Sequence, residues 1–291
     1  MSLIRSLQPT QQLILWGGAV EILCFGRDTG DWSLRDEIPE LPGYPRPEVV
    51  EAIGKLAAAY NCRIYAPNTS AFNAQIVEAR HLADSLVEDA FFRGVEADGV
   101  VLRKPGQAFA VSSADCPTFV LRDPITSTVV AAHAGRDSLI DPLEIRGPRE
   151  DWIRLRPSSV QQAINEMPIP DLHGGLARLK AFIACGIGPT HFRHPYGGDD
   201  SDDYNTALIK WAWRWNYGND YLWGNDPYEG CLNLVDIIRM QCRDKGVPTE
   251  NIGSDGVDTY HDRYPNGRYT WHSHRREGDG TRNLVLVIRR S

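Results

Sequence analysis

The residues best suited to chemistry in this chain are a cysteine and a histidine, Cys116 and His133. Cys116 lies in the segment Ser-Ser-Ala-Asp-Cys-Pro, and His133 lies seventeen residues further on, in Ala-Ala-His-Ala-Gly. A thiolate and an imidazole that lie together form either part of a metal site or an activated cysteine nucleophile. The next question is which elements of the chain could bring the two side chains together.

The segment between the two residues predicts a strand, a turn and a second strand. The residues after Pro117 are apolar, a turn signal follows at Asp123-Pro124, and the chain is then apolar again up to His133. Such a hairpin returns the chain so that its two ends lie side by side. We therefore expect Cys116 and His133 to be neighbours at one end of a sheet, where reacting groups usually lie.

The negative charge of Asp115 beside Cys116 would oppose formation of a thiolate, so a cation or a metal must compensate if the cysteine is reactive. His133 can supply one of these effects. His81, on a helix predicted within residues 72–93, is the candidate third partner. Together the three would form a Cys-His-His zinc set with one open position, as in catalytic zinc sites. The alternative for His81 is a surface histidine.

Two further segments have residues suited to ligands. Gly-Ile-Gly-Pro-Thr-His at 186–191 has small residues after an apolar strand, so the backbone could approach a substrate at Gly188, with His191 nearby. An ordinary turn at the end of a strand is the alternative. Asp98, in Ala-Asp-Gly, is interpreted either as a turn residue or as a catalytic acid.

The C-terminal segment Trp-His-Ser-His-Arg-Arg-Glu-Gly at 271–278 predicts a strand with His272 and His274 on one face. Arg275 and Arg276 could bind phosphate, because guanidinium groups match the geometry of phosphate oxygens. A solvated edge strand explains the same residues without a ligand.

Periodicity and turn signals predict the order of the other elements. A hairpin is expected at 12–26, and Pro47 begins a helix that continues from 48 to 60. The remaining predicted strands are 98–103, 107–113, 118–122, 127–132, 179–187, 268–274 and 283–289, and the remaining predicted helices are 158–166, 204–215 and 231–245.

Composition limits the class of protein. The 291 residues are 42% hydrophobic and 24% charged, which is enough for one α+β domain over residues 1–291 with a sizeable core. The net charge of −7 and the lack of a long basic run argue against nucleic acid or a membrane as main partners. Six scattered cysteines, with no C-x-x-C pair and no signal-peptide core, favour a cytoplasmic protein. We expect a monomer or a weak homo-oligomer.

Six short motifs in order resemble the signatures of the YfiH-like or laccase-domain proteins, also called the polyphenol oxidoreductase family. The resemblance covers about residues 70–290, with residues 1–69 as a divergent part of the same domain. The motifs are Ala-Asp-Gly-Val-Val at 97–101, Ala-Asp-Cys-Pro at 114–117, Ala-His-Ala-Gly at 132–135, Gly-Ile-Gly-Pro at 186–189, Leu-Asn-Leu-Val-Asp-Ile-Ile-Arg at 232–239, and Ser-His-Arg-Arg-Glu-Gly-Asp-Gly-Thr-Arg at 273–282.

The resemblance implies a layered α/β/β/α fold with mixed β-sheets, shared with toxin deamidases of the cytotoxic-necrotizing-factor type. It also implies a His-Cys-His zinc site, in which the family cysteine matches Cys116 and the second histidine matches His133. The implied reaction is phosphorolysis of purine nucleosides, with adenosine deamination as a further activity. In that reaction Arg275 or Arg136 would hold phosphate, and an acid such as Asp98 or His191 would assist departure of the base.

Two of the departures from the family pattern concern the candidate site directly. The first family histidine lies in Gln-Val-His-Gly, whereas this chain has Gln-Ile-Val-Glu at 75–78, so His81 takes that role by spacing alone. Family members have Trp-Arg-Gly after His-Ala-Gly, whereas this chain has Arg136, Asp137 and Ser138.

Three alternatives to a zinc-dependent phosphorylase remain open. The first is a metal-free cysteine hydrolase or deamidase, with Cys116 as nucleophile and His133 as its base. The second is a binding protein that has lost catalysis. The third is a copper-dependent phenol oxidase, which the eight histidines and the one His-x-His pair at 272–274 do not favour.

Overall fold

The computed structural model describes residues 4–34, 45–69, 74–142, 145, 156–169, 172–196, 203–214, 230–278 and 280–291. In this part of the chain, apolar runs bounded by turns form thirteen strands. The strands are β1 Gln11–Leu15, β2 Val20–Phe25, β3 Arg63–Tyr65, β4 Ile76–Glu78, β5 Leu86–Glu88, β6 Phe91–Phe92, β7 Gly99–Leu102, β8 Gln107–Ser113, β9 Thr118–Arg122, β10 Val129–His133, β11 Lys180–Ala184, β12 Ile252–Ser254 and β13 Asn283–Arg289.

Helices in the same part of the chain begin where the sequence supplies start signals. Pro47 is the first residue of one helix, and Ser158 caps another by accepting a hydrogen bond from the Gln161 N–H. The helices are α1 Pro47–Ala59, α2 Arg136–Leu139, α3 Ser159–Asn165, α4 Leu172–Gly175, α5 Asp203–Arg214, α6 Leu234–Asp244 and α7 His274–Glu277.

The strands form two mixed sheets. Sheet I has the order β1-β2-β13-β8-β3-β6-β5, and sheet II has the order β12-β11-β9-β10-β7-β4. In sheet I the pairs β3–β8 and β3–β6 are parallel, and in sheet II the pairs β11–β12 and β4–β7 are parallel. The hairpin β9–β10 lies in the middle of sheet II, so both of its edges are paired, β9 with β11 and β10 with β7.

Three apolar layers hold the sheets and helices together. Val111 of sheet I and Val120 of sheet II pack in the layer between the sheets. Ile53 of α1 packs with Leu286 against the outer face of sheet I. Leu208 of α5 belongs to the third layer, where α3, α5 and α6 cover the outer face of sheet II. The protein is therefore layered α/β/β/α, and the predicted fold class is confirmed. None of the helices in the described ranges is long and apolar enough to cross a bilayer.

Most of the predicted elements are confirmed, but two segments differ. Residues 72–93 were expected to be helical, yet they contain β4, a 3-10 turn at Ala79–Leu82, β5 and β6. The apolar residues there fill the layer between the sheets, because Ala79 and Leu82 are buried beside sheet II. A short apolar run of this kind does not distinguish strand from helix.

The second difference concerns residues 268–274, which were expected to form a strand. Instead Ser273 caps the short helix α7, and its hydroxyl accepts a hydrogen bond from the Arg276 N–H at 3.4 Å. His272 and His274 therefore do not share one face of a strand. The preference of serine for the N-cap position explains why a helix starts here.

The turn that joins β9 to β10 is fixed by a buried ion pair. Arg178 donates to both carboxylate oxygens of Asp123, at 2.8 and 3.1 Å, and Asp123 is fully buried. Burial alone would raise the pKa of Asp123, but hydrogen bonds from Arg178, Ile125 and Thr126 outweigh it and lower the pKa to about 2. This turn sets the register that brings the ends of the hairpin together.

Replacing Asp123 with asparagine is expected to destabilise the protein by about 1–3 kcal/mol at pH 7, because Arg178 loses its charged partner. The native pKa is lowered, so this stabilisation is complete above about pH 4 and is lost as the pH falls toward 2. Urea denaturation of the variant and of a control, Asp244→Asn on the exposed end of α6, measures the difference. Equal stability of D123N and wild type at pH 7 would contradict the assigned role of the pair.

Candidate functional site

Cys116 and His133 are neighbours, as the sequence predicts. His133 is paired with Thr118 in the β9–β10 register, and the Ala134 N–H donates to the Pro117 carbonyl at 2.9 Å. The His133 ring forms a side-chain hydrogen bond with the Cys116 sulfur. His133 is buried and Cys116 is half-buried, so the sulfur is the more accessible atom of the pair.

Asp98 completes a line of three groups behind the cysteine. Its Oδ1 lies 3.4 Å from Nδ1 of His133, and its Oδ2 accepts hydrogen bonds from Ser138 Oγ at 3.0 Å and from the Ala74 N–H at 2.7 Å. The carboxylate is fully buried. Thiol, imidazole and carboxylate therefore follow one another as they do in a nucleophile–base–orienter triad.

This position corrects the sequence-based role of Asp98. We expected either a turn residue or an acid that protonates a leaving group. The structure places its carboxylate behind the His133 ring, where both oxygens already have partners and water has no access. Asp98 can therefore orient His133 but cannot reach a substrate directly.

His133 is held in its protonated form by its neighbours. Burial lowers its pKa, but the charge of Cys116, together with the hydrogen bond and charge of Asp98, outweighs burial and raises the pKa to about 9. An imidazolium beside the sulfur supplies the cation that a thiolate needs. His133 can thus supply the positive charge that a Cys116 thiolate beside Asp115 needs.

Asp115, directly before the cysteine, is held away from the thiol by three partners. Its carboxylate accepts hydrogen bonds from Thr259 Oγ1 and from the Arg275 N–H, both at 2.8 Å, and from the Ser273 side chain. Burial is the largest influence and raises the pKa of Asp115 despite these bonds, which weakens its opposition to a thiolate. Its φ of +111° is strained for a residue with a side chain, and such strain is typical of functional sites.

Two arginines lie within electrostatic range of Cys116. The guanidinium of Arg136 pairs with Asp137 at 2.7 Å and lies 5.0 Å from the centre of the Tyr204 ring. Loss of water, followed by repulsion from Arg136, lowers the pKa of Arg275. Because Asp137 neutralises Arg136, Arg275 is the guanidinium of the two that keeps its charge beside the thiol and can attract an anionic ligand.

Other predicted site residues have structural partners instead. The Arg276 guanidinium donates to the backbone oxygens of Thr259, Tyr260 and Trp271 at 2.6–3.0 Å, and it also contacts Glu277. Its two terminal nitrogens are therefore engaged by the protein, whereas its buried Nε has no hydrogen-bond partner in the described structure, and its role in substrate binding stays a prediction.

Gly188 and His191, which were predicted to bind substrate, contact other protein groups in the structure. The Gly188 N–H donates to Asp258 Oδ1 at 2.9 Å, and a Cβ atom at Gly188 would overlap the same carboxylate, so its close approach is to Asp258 and not to a ligand. The His191 ring stacks on the Tyr260 ring, with centroids 3.9 Å apart, and its Nδ1 lies 2.8 Å from Thr190 Oγ1. His191 is thus part of an aromatic cluster.

His81 lies at the wrong end of the sheet to join Cys116 and His133. Strand β4 begins at Ile76 beside Gly99, which is itself paired with the residue before His133, and β4 then runs away from the site. His81 follows the far end of β4 on an exposed position of the 3-10 turn. The predicted metal set of His81, Cys116 and His133 is therefore not assembled in the structure, because His81 was assigned by its spacing along the chain and β4 carries it away from the site.

Sequence reasoning missed two residues of this region. Ser138, in the single turn of α2, holds Asp98 through its hydroxyl, and only its place three residues after Gly135 could have indicated this.

His194 is buried and its Nε2 has no hydrogen-bond partner in the described structure, while its Nδ1 lies 3.0 Å from the Phe192 carbonyl. Burial, followed by the charges of nearby arginines, lowers the pKa of His194 to about 3. No sequence signal identified it.

Gly135 leaves the space in which Cys116 and His133 face each other. A Cβ atom there would lie 2.8 Å from Cε1 and 3.3 Å from Nε2 of His133, and 3.1 Å from the Cys116 sulfur. Because the ring is buried and cannot retreat freely, Gly135→Ala is expected to destabilise the protein by about 1–2 kcal/mol.

The same variant is expected to slow alkylation of Cys116, because it separates the thiol from the imidazole. Thermal unfolding and labelling with iodoacetamide measure the two effects. Gly280→Ala is the matched control, since a Cβ atom at Gly280 meets nothing within 4 Å. A G135A protein that labels and unfolds like G280A would contradict this geometry.

Comparison with known proteins identifies the family. Residues 55–290 match the family model described as multi-copper polyphenol oxidoreductase laccase. The chain belongs to this laccase-domain family. No match was found among curated proteins.

Solved structures share the fold of this laccase-domain protein. The Neisseria meningitidis protein NMB0706, from the family DUF152, is 18% identical and superposes with a TM-score of 0.64 over 99% of this chain and 98% of its own. The hypothetical protein YfiH of Bacillus licheniformis is 17% identical, with a TM-score of 0.61 over 97% and 98%. YlmD from Geobacillus stearothermophilus is 20% identical, with a TM-score of 0.61 over 94% and 92%.

The family name refers to copper and the sequence resemblance implies zinc, so the donor set decides whether either metal fits. Cys116 and His133 offer two donors, and the oxygens of Asp98 are already taken by His133, Ser138 and Ala74. In the described residues no group of three or more His, Cys, Asp or Glu side chains could hold a metal ion. A catalytic zinc requires three protein ligands, so these residues do not fit the implied metal.

Proposed function

We propose that this laccase-domain protein is a cysteine hydrolase that cleaves the C–N bond of an amide or amidine and releases ammonia or an amine. Cys116 is the nucleophile, His133 is the general acid and base, and Asp98 positions His133. The observation that supports this most is that the Cys116 thiol contacts the His133 ring, which in turn contacts the buried carboxylate of Asp98. The assignment needs no residue from outside the described structure.

The first half of the reaction follows from the charges of the pair. The Cys116 thiolate attacks the carbon of the C–N bond and forms a C–S bond, and His133 gives its proton to the departing nitrogen. Asp98 stabilises the imidazolium and keeps its Nε2 directed at the sulfur. Water then attacks the same carbon, His133 takes a proton from it, and the C–S bond breaks to restore the thiolate.

The start of α2 can stabilise the oxygen or nitrogen anion that forms during attack. The first N–H groups of a helix have no acceptor within the helix, and those of Arg136 and Asp137 are the first in α2. Gly135, directly before them, is close enough that its Cβ position lies 3.1 Å from the Cys116 sulfur. Backbone donors at this place are suited to an oxyanion hole.

The substrate is expected to carry a negative group near the scissile bond. The charges of Arg136 and Arg275 both interact with Cys116, and the guanidinium of Arg275 lies 4.8 Å from the centre of the Phe192 ring. Phe192 can hold the guanidinium through a cation–π contact. A carboxylate or a phosphate on a small-molecule substrate is the group that the Arg275 guanidinium would bind.

A second candidate is phosphorolysis of purine nucleosides, as the family resemblance implies. The observation that favours it is the same pair of arginines, which could hold inorganic phosphate beside Cys116. It would require zinc, for which the described residues supply two donors. Deamination of adenosine, in contrast, is hydrolysis of an amidine C–N bond and falls within the first proposal.

The test uses protein treated with EDTA and incubated with adenosine, small primary amides and amidines, with phosphate present. Ammonia release without metal, abolished in Cys116→Ala and kept in Cys62→Ala, is the result expected for a cysteine hydrolase. Release of free base and ribose 1-phosphate only after zinc is added would replace the first proposal with the second. Ammonia release that continues in Cys116→Ala would refute the nucleophile.

A further inference from the structure

A large cleft opens at the end of the sheets opposite Cys116, and we call it the distal cleft. Its volume is about 1390 Å³. Gln107, the first residue of β8, lines the cleft, while the other end of β8 lies three residues before Cys116. Seven residues of strand extend over about 20 Å, so the cleft is separate from the proposed catalytic site.

Positive charge is concentrated in the distal cleft although the chain as a whole is acidic. The net charge of the chain is −7. Two of the cations in the lining are neutralised, because Arg103 pairs with Glu78 and Arg290 pairs with Glu21. Three more have no ion pair in the described structure, and these are Arg63, Arg80 and Lys104.

The turn after β7 fixes these cations around one opening. The Arg63 N–H donates to the Gly106 carbonyl at 2.7 Å, and the Gly106 N–H donates to the Arg289 carbonyl at 2.8 Å. Gly106 has a φ of +76°, which permits this tight turn beside Lys104. The Arg63 guanidinium lies 4.9 Å from the centre of the Phe92 ring, and this contact limits its freedom.

Negative groups in the lining do not cancel these charges. Glu78 is engaged by Arg103, which leaves Asp89 as the other carboxylate of the lining. The last carbonyls of α1 also face this region, but Arg290 donates to the Tyr60 carbonyl at 2.7 Å and covers that end of the helix. The distal cleft therefore keeps an excess of positive charge.

We propose that the distal cleft binds a small ligand that carries two or more phosphate groups. Three cations that have no ion pair in the described structure favour a ligand with several negative charges, and arginine guanidiniums are suited to phosphate oxygens. The volume exceeds that of the usual small-molecule pocket, which is about 300–1,000 Å³, so a chain of phosphates with an attached group has room. This site goes beyond the proposed hydrolysis and does not depend on it.

Isothermal titration calorimetry on the Cys116→Ala protein tests the proposal without interference from turnover. Tripolyphosphate and ATP are expected to bind at least about tenfold more tightly than inorganic phosphate, because each phosphate added contributes further charge. Charge reversal in the triple variant R63E/R80E/K104E is expected to lower the affinity for tripolyphosphate at least tenfold.

The matched control is K210E/R243E/K245E, which changes the net charge by the same amount at exposed positions of α5 and of α6 and its C-terminal end. The neutral variant R63Q/R80Q/K104Q replaces the first triple if charge reversal prevents folding, as judged by circular dichroism. Absence of binding to tripolyphosphate and ATP would overturn the proposal, as would an equal loss of affinity in the control. If ATP binds more tightly than tripolyphosphate, the distal cleft also contacts the nucleoside part of ATP.

Discussion

Replacing Cys116 with serine is expected to lower kcat/KM for the hydrolysed amide or amidine by a factor of about 10³ or more. A serine hydroxyl remains protonated beside His133, whereas the cysteine can transfer its proton to the imidazole and become a thiolate. His133 lies in hydrogen-bond contact with the sulfur, and its pKa is raised to about 9 by the Cys116 and Asp98 charges that outweigh burial. Ammonia release under metal-free conditions measures the change.

The control for this variant is Cys62→Ser, at the opposite end of the sheets. Burial raises the pKa of Cys62 to about 11, so its thiol is unreactive and its loss should leave turnover within about twofold of wild type. Turnover by Cys116→Ser close to that of wild type would mean that the sulfur is not the nucleophile. The arrangement of Cys116, His133 and Asp98 would then have a structural role alone.

Replacing Asp98 with asparagine is expected to lower kcat by a factor of about 10²–10⁴ with a smaller change in KM. The amide has nearly the same shape as the carboxylate, but it can donate a hydrogen to Nδ1 and so favour the wrong tautomer of His133. It also removes the negative charge that stabilises the imidazolium. The effect is on the chemical step, because Asp98 is buried and does not reach the substrate.

Ser138→Ala serves as the graded comparison for Asp98→Asn. It removes one hydrogen bond to the Asp98 Oδ2, while the carboxylate and its bond to the Ala74 N–H remain. We expect a loss of about tenfold or less in kcat. If Asp98→Asn has normal kcat, or if Ser138→Ala is the more damaging of the two, Asp98 does not position His133.

The sequence predicted the hairpin and the pairing of Cys116 with His133 because the signals are local. Pro117, the turn at Asp123 and the apolar runs on either side determine the hairpin without help from the rest of the chain. The layered fold was predicted from the order of six family motifs and not from the periodicity of apolar residues. The part of the site that lies on one hairpin could thus be found from the sequence.

The rest of the site depends on strand pairing between distant segments. Asp98 reaches His133 because β7 is the neighbour of β10, and nothing in its local sequence distinguishes it from a turn residue. His81 was placed by its distance along the chain, but the parallel pairing of β4 with β7 carries it away from the site. Arg275 belongs to a helix that starts at a serine cap where an alternating pattern suggested a strand.

The rate at which iodoacetamide alkylates Cys116 at pH 6.5, with and without prior chelation of metal, tests the central claim most directly. Cys116 is the one cysteine of the six that is not buried, so mass spectrometry can follow it alone. We expect labelling at least about tenfold faster than that of a free thiol, slowed in His133→Asn and unchanged by chelation. Labelling that requires removal of a metal, or a rate that His133→Asn leaves unaltered, would contradict a thiolate held by His133 and Asp98.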